Sequence, residues 1–250
     1  MLQRTILFPT DYAKGSRGVS EQIPDSAIFW IKTEFGKSET WYLAPFNSNL
    51  NETHPLVIIG HGNADVIDKW VTLVSRLREV GIGVLLVEYP GYGRSSGQPT
   101  QASITKAFIA SYDSIITKSE IDSEKIILLG QSIGGGPICA LAKERPSASI
   151  ILISTFTSVR TFASQYLLPE FLIRDPFVNL SLIKTYNNPV LIVHGTDDNL
   201  IPYEEGKILY TAAKNGKIIS KDGGHNTTIK NWRLFWDGDI LPFLRKNGVL

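Results

Sequence analysis

The 250-residue chain is nearly without sulfur, with one cysteine, Cys139, and one methionine, Met1. A lone cysteine forms no intrachain disulfide and no paired-cysteine metal site, so the core must hold the fold, and a reducing compartment is expected. No stretch of about 18 apolar residues occurs, so no bilayer-crossing helix is expected. An excess of one charge is missing too: 25 Lys and Arg stand against 24 Asp and Glu, a formal net charge of +1. That balance gives no electrostatic basis for a nucleic-acid partner or a polybasic membrane-binding surface. The four histidines, His54, His61, His194 and His225, are scattered, and there is no H-E-x-x-H pattern, so neither a metal nor an organic cofactor is expected. Met1 to Thr10 have neither the charged start nor the long apolar core of a secretion signal. The expected location is the cytoplasm, with an exported or membrane-anchored full-length form left open.

What is present is enough apolar surface for one large domain over residues 1–250: 43% of the residues are hydrophobic. Ala27 to Thr33 and Glu39 to Leu43 read as strands joined through Gly36. Beyond them, short apolar runs alternate with stretches of helical spacing. The runs are Leu56–Ile59, Val84–Val87, Lys125–Leu129, Ile150–Ile153 and Val190–Val193, followed by Lys217–Ser220. Helices are expected over Asp65–Val80, Ser103–Thr117, Gly134–Lys143, Glu204–Ala213 and Trp232–Leu244. The runs lack in/out alternation, as expected of a mostly parallel central sheet covered by helices on both faces. Ligands of such α/β sheets bind beyond the carboxyl ends of the strands, so the loops after the runs are where chemistry is sought.

The loop after the third run reads Gly130-Gln131-Ser132-Ile133-Gly134, followed by Gly135 and Gly136. This is G-x-S-x-G between a strand and a helix, the pattern of a nucleophile elbow. A serine held on so sharp a turn projects its hydroxyl above the sheet, and side chains two residues to either side would collide. The helix that follows aims its positive end at a developing oxyanion. The alternative, a phosphate-cradling loop, lacks the required G-K-[ST].

A hydroxyl nucleophile needs a base. His225, in the turn-rich segment Asp222-Gly223-Gly224-His225-Asn226 after the last strand run, is the one histidine downstream of both Ser132 and a plausible acid. His54, before Pro55, reads as a solvated loop residue, and His194 as a structural strand end. The acid should follow Val190–Val193, where Asp197 and Asp198 compete, and spacing does not choose between them. One oxyanion-binding N–H is expected from Ile133 and a second from Asn63, in the glycine-rich turn Gly60-His61-Gly62-Asn63.

Together, HGN at 61–63, EYPGYGRSSG at 88–97, GQSIGG at 130–135, HGTDDNLIP at 194–202 and GGHN at 223–226 resemble one branch of the α/β hydrolases. That branch contains the Bem-type and protein-depalmitoylating membrane-associated hydrolases and bacterial serine aminopeptidase-like relatives. The resemblance spans roughly residues 55 to 245, with the motifs in matching order. It implies the α/β-hydrolase fold, Asp198 as the catalytic acid and His225 as the base, and leaves peripheral membrane association open.

Between Ser154 and Tyr186 the alternation stops, and apolar and aromatic residues crowd the segment. A small cap insertion at roughly residues 155–186 is expected there. Phe162, Tyr166 and Phe171 are candidates to line an acyl pocket, against the plainer reading that they pack the cap onto the core. The sequence thus reads as a serine hydrolase acting on a small-molecule acyl ester or thioester through an acyl-enzyme. The runner-up is an aminopeptidase, for which Glu170 or Asp175 would hold a substrate amine.

Overall fold

The computed structural model describes residues 4, 7–47, 52–161 and 173–250. Eight strands form one sheet in the order β1-β2-β4-β3-β5-β6-β7-β8. β1 (Ile28–Thr33) and β2 (Gly36–Leu43) make an antiparallel hairpin that turns at Glu34 and Phe35, and β2 pairs antiparallel with β4 (Gly83–Val87). From β4 onward, β3 (His54–Gly60), β5 (Ile121–Gln131), β6 (Ser149–Ile153), β7 (Val190–Gly195) and β8 (Gly216–Lys221) are parallel to their neighbours. Among the described residues, no helix is long and apolar enough to cross a membrane.

Each central strand is apolar on both sides, and its residues divide between two cores. Ile58, Leu85, Leu128, Leu152 and Ile192 point to one side. There they meet Ile104 and Phe108 of α3 (Gln101–Ile115) and Ile138 of α4 (Gly135–Glu144). On the other side Ile59, Leu86, Leu129, Ile151 and Val193 meet Ile67 and Trp70 of α1 (Ile67–Leu73) and Leu77 of α2 (Ser75–Glu79). Trp236 and Leu244 near the C-terminus complete that second core. Strand alternation assigns the odd and even residues to opposite faces, and helices on both faces explain why hydropathy shows no alternation.

Three expectations change in the fold. The helix expected over Asp65–Val80 is two helices with a break at Val74, whose φ of −95° and ψ of 1° leave the helical well. The break leaves Trp70, Val74 and Leu77 all fully buried. Past α6 (Tyr203–Ala212), the expected C-terminal helix runs as α7 (Trp232–Phe235), a π-helical turn over Trp236–Ile240 and α8 (Leu241–Lys246). Pro242 has no N–H to give the Gly238 carbonyl and its ring crowds that oxygen, and the wider turn accommodates both effects. His54 is not solvated: it opens β3, is 7% exposed, and its Nε2 lies 2.8 Å from the Tyr42 hydroxyl. β5 begins at Ile121, earlier than the apolar run suggests, and gives His54 a pairing partner and a carbonyl, Glu120 O, for its Nδ1.

Of the expected cap, the described flanks lean inward. Phe156, Val159, Ile173 and Phe177 are buried in the core, and α5 (Asn179–Ile183) packs beside α4. Phe162, Tyr166 and Phe171 lie outside the described residues.

Backbones pack closely where the Ser132 turn meets the end of β3. A Cβ at Gly134 would stand 2.0 Å from the Gly60 carbonyl oxygen and 2.6 Å from that of His61. Both obstacles are backbone atoms that cannot swing away. Gly134→Ala should therefore cost about 3 kcal/mol or more of stability, at the upper end of overpacking effects. Gly81, with nothing within 4 Å of its Cβ position but a φ of +84°, should accept asparagine at a cost under about 1 kcal/mol. Urea denaturation of the two variants checks the contrast.

Candidate active site

β5 ends at Gln131, and the chain turns at once into α4 through the 3-10 turn Ser132–Gly134. Ser132 has φ of +54°, in the left-handed region that a residue with a Cβ seldom occupies. The turn is possible because Gly130 and Gly134 carry no side chains: a Cβ on Gly130 would meet the Gly134 oxygen at 2.6 Å.

The hydroxyl of Ser132 lies 2.8 Å from His225 Nε2, and His225 Nδ1 lies 2.8 Å from Asp198 Oδ2. A carboxylate only accepts, so Nδ1 carries the proton of a neutral ring and Nε2 accepts from the serine. Asp198 is buried, and its other oxygen accepts the N–H groups of Leu200 at 3.0 Å and Ile201 at 2.8 Å. Burial by itself would raise its pKa. Hydrogen bonds from His194, His225 and the Ile201 N–H outweigh burial and hold the carboxyl well below the usual carboxylate range. Of the two aspartates that spacing left open, Asp198 is therefore the one in contact with the imidazole. Asp197 is exposed, and its N–H donates to Gly223 O at 3.1 Å, tying the acid loop to the histidine loop.

The HGN turn lies beside Ser132. A Cβ on Gly62 would be 3.9 Å from that of Ser132. The Asn63 Oδ1 accepts from the Ala64 N–H at 2.9 Å and the Tyr92 hydroxyl at 3.3 Å. Beneath the turn is a polar cluster that sequence reasoning missed. His61 and Glu88 are both buried, with Nε2 to Oε1 at 2.8 Å. Glu88 Oε1 also accepts the Tyr89 N–H and Oε2 the Ile67 N–H. The Tyr89 hydroxyl donates to His61 O at 2.6 Å while its ring stacks on the imidazole. The signal for Glu88 was legible: a lone acid directly after the apolar run Val84–Val87, at a strand's carboxyl end. His194, expected to be structural, is fully buried and donates from Nε2 to Ile201 O at 2.8 Å, with Asp198 Oδ2 3.4 Å away. Among the described residues, no group of three or more His, Cys, Asp or Glu could hold a metal ion.

Burial alone would lower the His61 pKa, but the charge and hydrogen bond of Glu88 outweigh it and raise the pKa above 6.5. A raised folded-state pKa contributes stability in full below the unfolded value and loses it as pH rises through the folded value. The thermal midpoint of the wild type should therefore exceed that of Glu88→Gln most below about pH 6.5, and the gap should narrow as pH rises above that. A gap that stays constant from about pH 5.5 to 9 would mean that no proton is held between the two side chains.

A family model described as alpha/beta hydrolase fold matches residues 55–178, the stretch from β3 through the elbow to the cap flank. The uncharacterized protein YfhR of Escherichia coli O157:H7 is 32% identical over 197 residues, covering 74% of this chain and 68% of YfhR. Among solved structures, Est1E from Butyrivibrio proteoclasticus is 21% identical with a TM-score of 0.72, covering 90% of this chain and 100% of Est1E. The acylaminoacyl peptidase of Pyrococcus horikoshii is 14% identical with a TM-score of 0.71, covering 88% of this chain and 41% of the peptidase. At those identities the structural likeness is one of fold. With the family model lying over the elbow and YfhR related by sequence as well, the chain belongs to the alpha/beta hydrolase fold family.

Proposed function

We propose that the protein is a serine hydrolase that cleaves carboxylic esters or thioesters through an acyl-enzyme. The observation that carries this reading is the continuous hydrogen-bonded chain from Ser132 Oγ through the His225 ring to Asp198, at 2.8 Å in each link. In the reaction, the Ser132 oxygen attacks the acyl carbonyl as its proton passes to His225 Nε2. The oxyanion is held by the N–H groups of Ile133 and Asn63. Collapse expels the alcohol or thiol, which takes the proton from His225. Water then gives a proton to His225, attacks the acyl-serine and releases the acid, and the proton returns to Ser132. Asp198 stays ionised throughout and favours the imidazolium.

Ester over peptide cleavage is supported by what has become of the anchors an aminopeptidase would need. Asp175 is 2% exposed and already accepts from Arg4 Nε at 2.9 Å and the Gln101 N–H at 2.8 Å. It is an ion-pair partner that also holds the first N–H of α3, so both its oxygens are already engaged within the fold. Glu170 lies outside the described residues.

A fluorophosphonate probe should label the wild type and not Ser132→Ala, whose kcat should fall by roughly 10⁵ to 10⁶. Labelling that persists in Ser132→Ala would reject the assignment. Asp198→Asn should lose roughly 10³ to 10⁴ in kcat through the wrong imidazole tautomer, and Asp197→Asn less than about tenfold.

With p-nitrophenyl esters, kcat/KM should climb from acetate towards hexanoate by roughly two- to fourfold per methylene, since each buried CH₂ is worth about 0.8 kcal/mol. Aminoacyl p-nitroanilides should be cleaved poorly, because an amine leaving group must be protonated in alignment. Efficient anilide turnover with a flat ester series would favour the peptidase.

A further inference from the structure

We propose that Ser154 and Thr155, at the end of β6, are positioning residues that clasp the nucleophile turn to the histidine loop and so set the distance from Ser132 to His225. The inference rests on the serine-hydrolase reading of the same site. β6 lies between β5, which delivers Ser132, and β7, which leads to the acid loop. Side chains of a regular strand stand perpendicular to the sheet and do not reach along it to neighbouring strand ends. Ser154 departs from that geometry: its φ is +47°, a conformation disfavoured for a residue with a Cβ. Its N–H still donates to Val193 O at 2.8 Å, so the turn begins while the backbone is anchored to β7.

After the turn the two hydroxyls reach opposite ways. Thr155 Oγ1 donates to the carbonyl oxygen of Ser132 itself at 2.7 Å, and a Cβ on the neighbouring Gly135 would strike the same Thr155 side chain. Ser154 Oγ lies 3.1 Å from Thr228 Oγ1, which donates to Gly224 O at 2.9 Å, one residue before His225. Ser154, Thr155 and Thr228 are all buried, so these bonds are not exchanged with bulk water. The catalytic acid touches neither hydroxyl. The clasp therefore acts through the Ser132 and His225 loops and not through a direct bond to Asp198, and a strained φ is retained where it joins the two catalytic arms.

The test compares Thr155→Val and Thr228→Val, which keep side-chain shape and remove a donor, with Thr155→Ser, which keeps the donor. Each valine variant should lower kcat about tenfold with KM within about twofold, because misplacement of the reacting pair costs rate more than binding. Thr155→Ser should restore kcat to within about threefold. The double valine variant should fall well short of the roughly hundredfold product of the singles, because either loss alone frees the same alignment. A purely structural role would lower the thermal midpoint and leave kcat of the folded protein unchanged. Imidazole ¹⁵N–¹H correlations of His225 report the ring's hydrogen bonds without turnover, and they should shift in both valine variants. A wild type inert to all esters but with shifted signals in the variants would fault the hydrolase reading and keep the clasp. Unshifted signals, unchanged kcat or a fully multiplicative double variant would overturn the clasp. Should Thr155→Val fail to fold, Thr228→Val and Ser154→Ala carry the same comparison.

Discussion

The site depends on how closely the backbone of the Ser132 turn approaches the end of β3. Gly60 pairs with Gly130 across parallel strands, and Gly134 folds back over both, with its Cβ position 2.0 Å from the Gly60 oxygen. No side chain fits in that contact. The consequence is a turn tight enough to hold Ser132 at positive φ with its hydroxyl facing His225. The same contact brings the HGN turn, one strand over, alongside Ser132. The two loops proposed to supply the oxyanion donors are thus neighbours because their strands are neighbours.

Around that contact, the loops at the carboxyl ends of the strands are held by buried polar groups. Glu88 serves His61 and two backbone N–H groups, and Asp198 serves His225 and two more. Further out, Arg94 joins the buried carboxylates of Glu39 and Asp68, the latter through two parallel bonds. Such groups are poor sources of net stability, since desolvation offsets most of their attraction, but removing one partner leaves a buried charge unmatched. What they contribute here is definition. Each carboxylate satisfies N–H groups that an irregular loop would otherwise leave unpaired, so each loop has one arrangement.

The cap flank shows the same economy of charge. Asp175 is held by Arg4 and by the first N–H of α3, and the Gln101 Oε1 accepts the Phe177 N–H in turn. An acidic residue that looks available in the sequence is committed to fixing where the flank meets the body of the domain. The apolar residues on either side, Phe156 and Phe177, are likewise part of the main core.

Much of this was legible in the chain itself, for a definite reason. A nucleophile elbow is a local backbone problem: glycines must stand at 130 and 134 for the turn to close, so the requirement is written in adjacent residues. The parallel sheet was legible from short apolar runs alternating with helical spacing, and His225 from its place after the last run. Tertiary structure decided what local pattern does not encode, namely which distant groups meet. Val74 and Pro242 broke helices whose hydropathy was continuous. His54 found a partner because β5 starts four residues before its apolar run. Asp198 rather than its neighbour faces the imidazole because the turn after β7 buries one carboxylate and exposes the other. Glu88, Thr155 and Thr228 acquired their places only when segments 23 to 74 residues apart in the chain were brought side by side. Hydropathy and spacing constrain each segment against water. The order of strands in the sheet, set by packing of the whole, determines which polar groups are left facing one another.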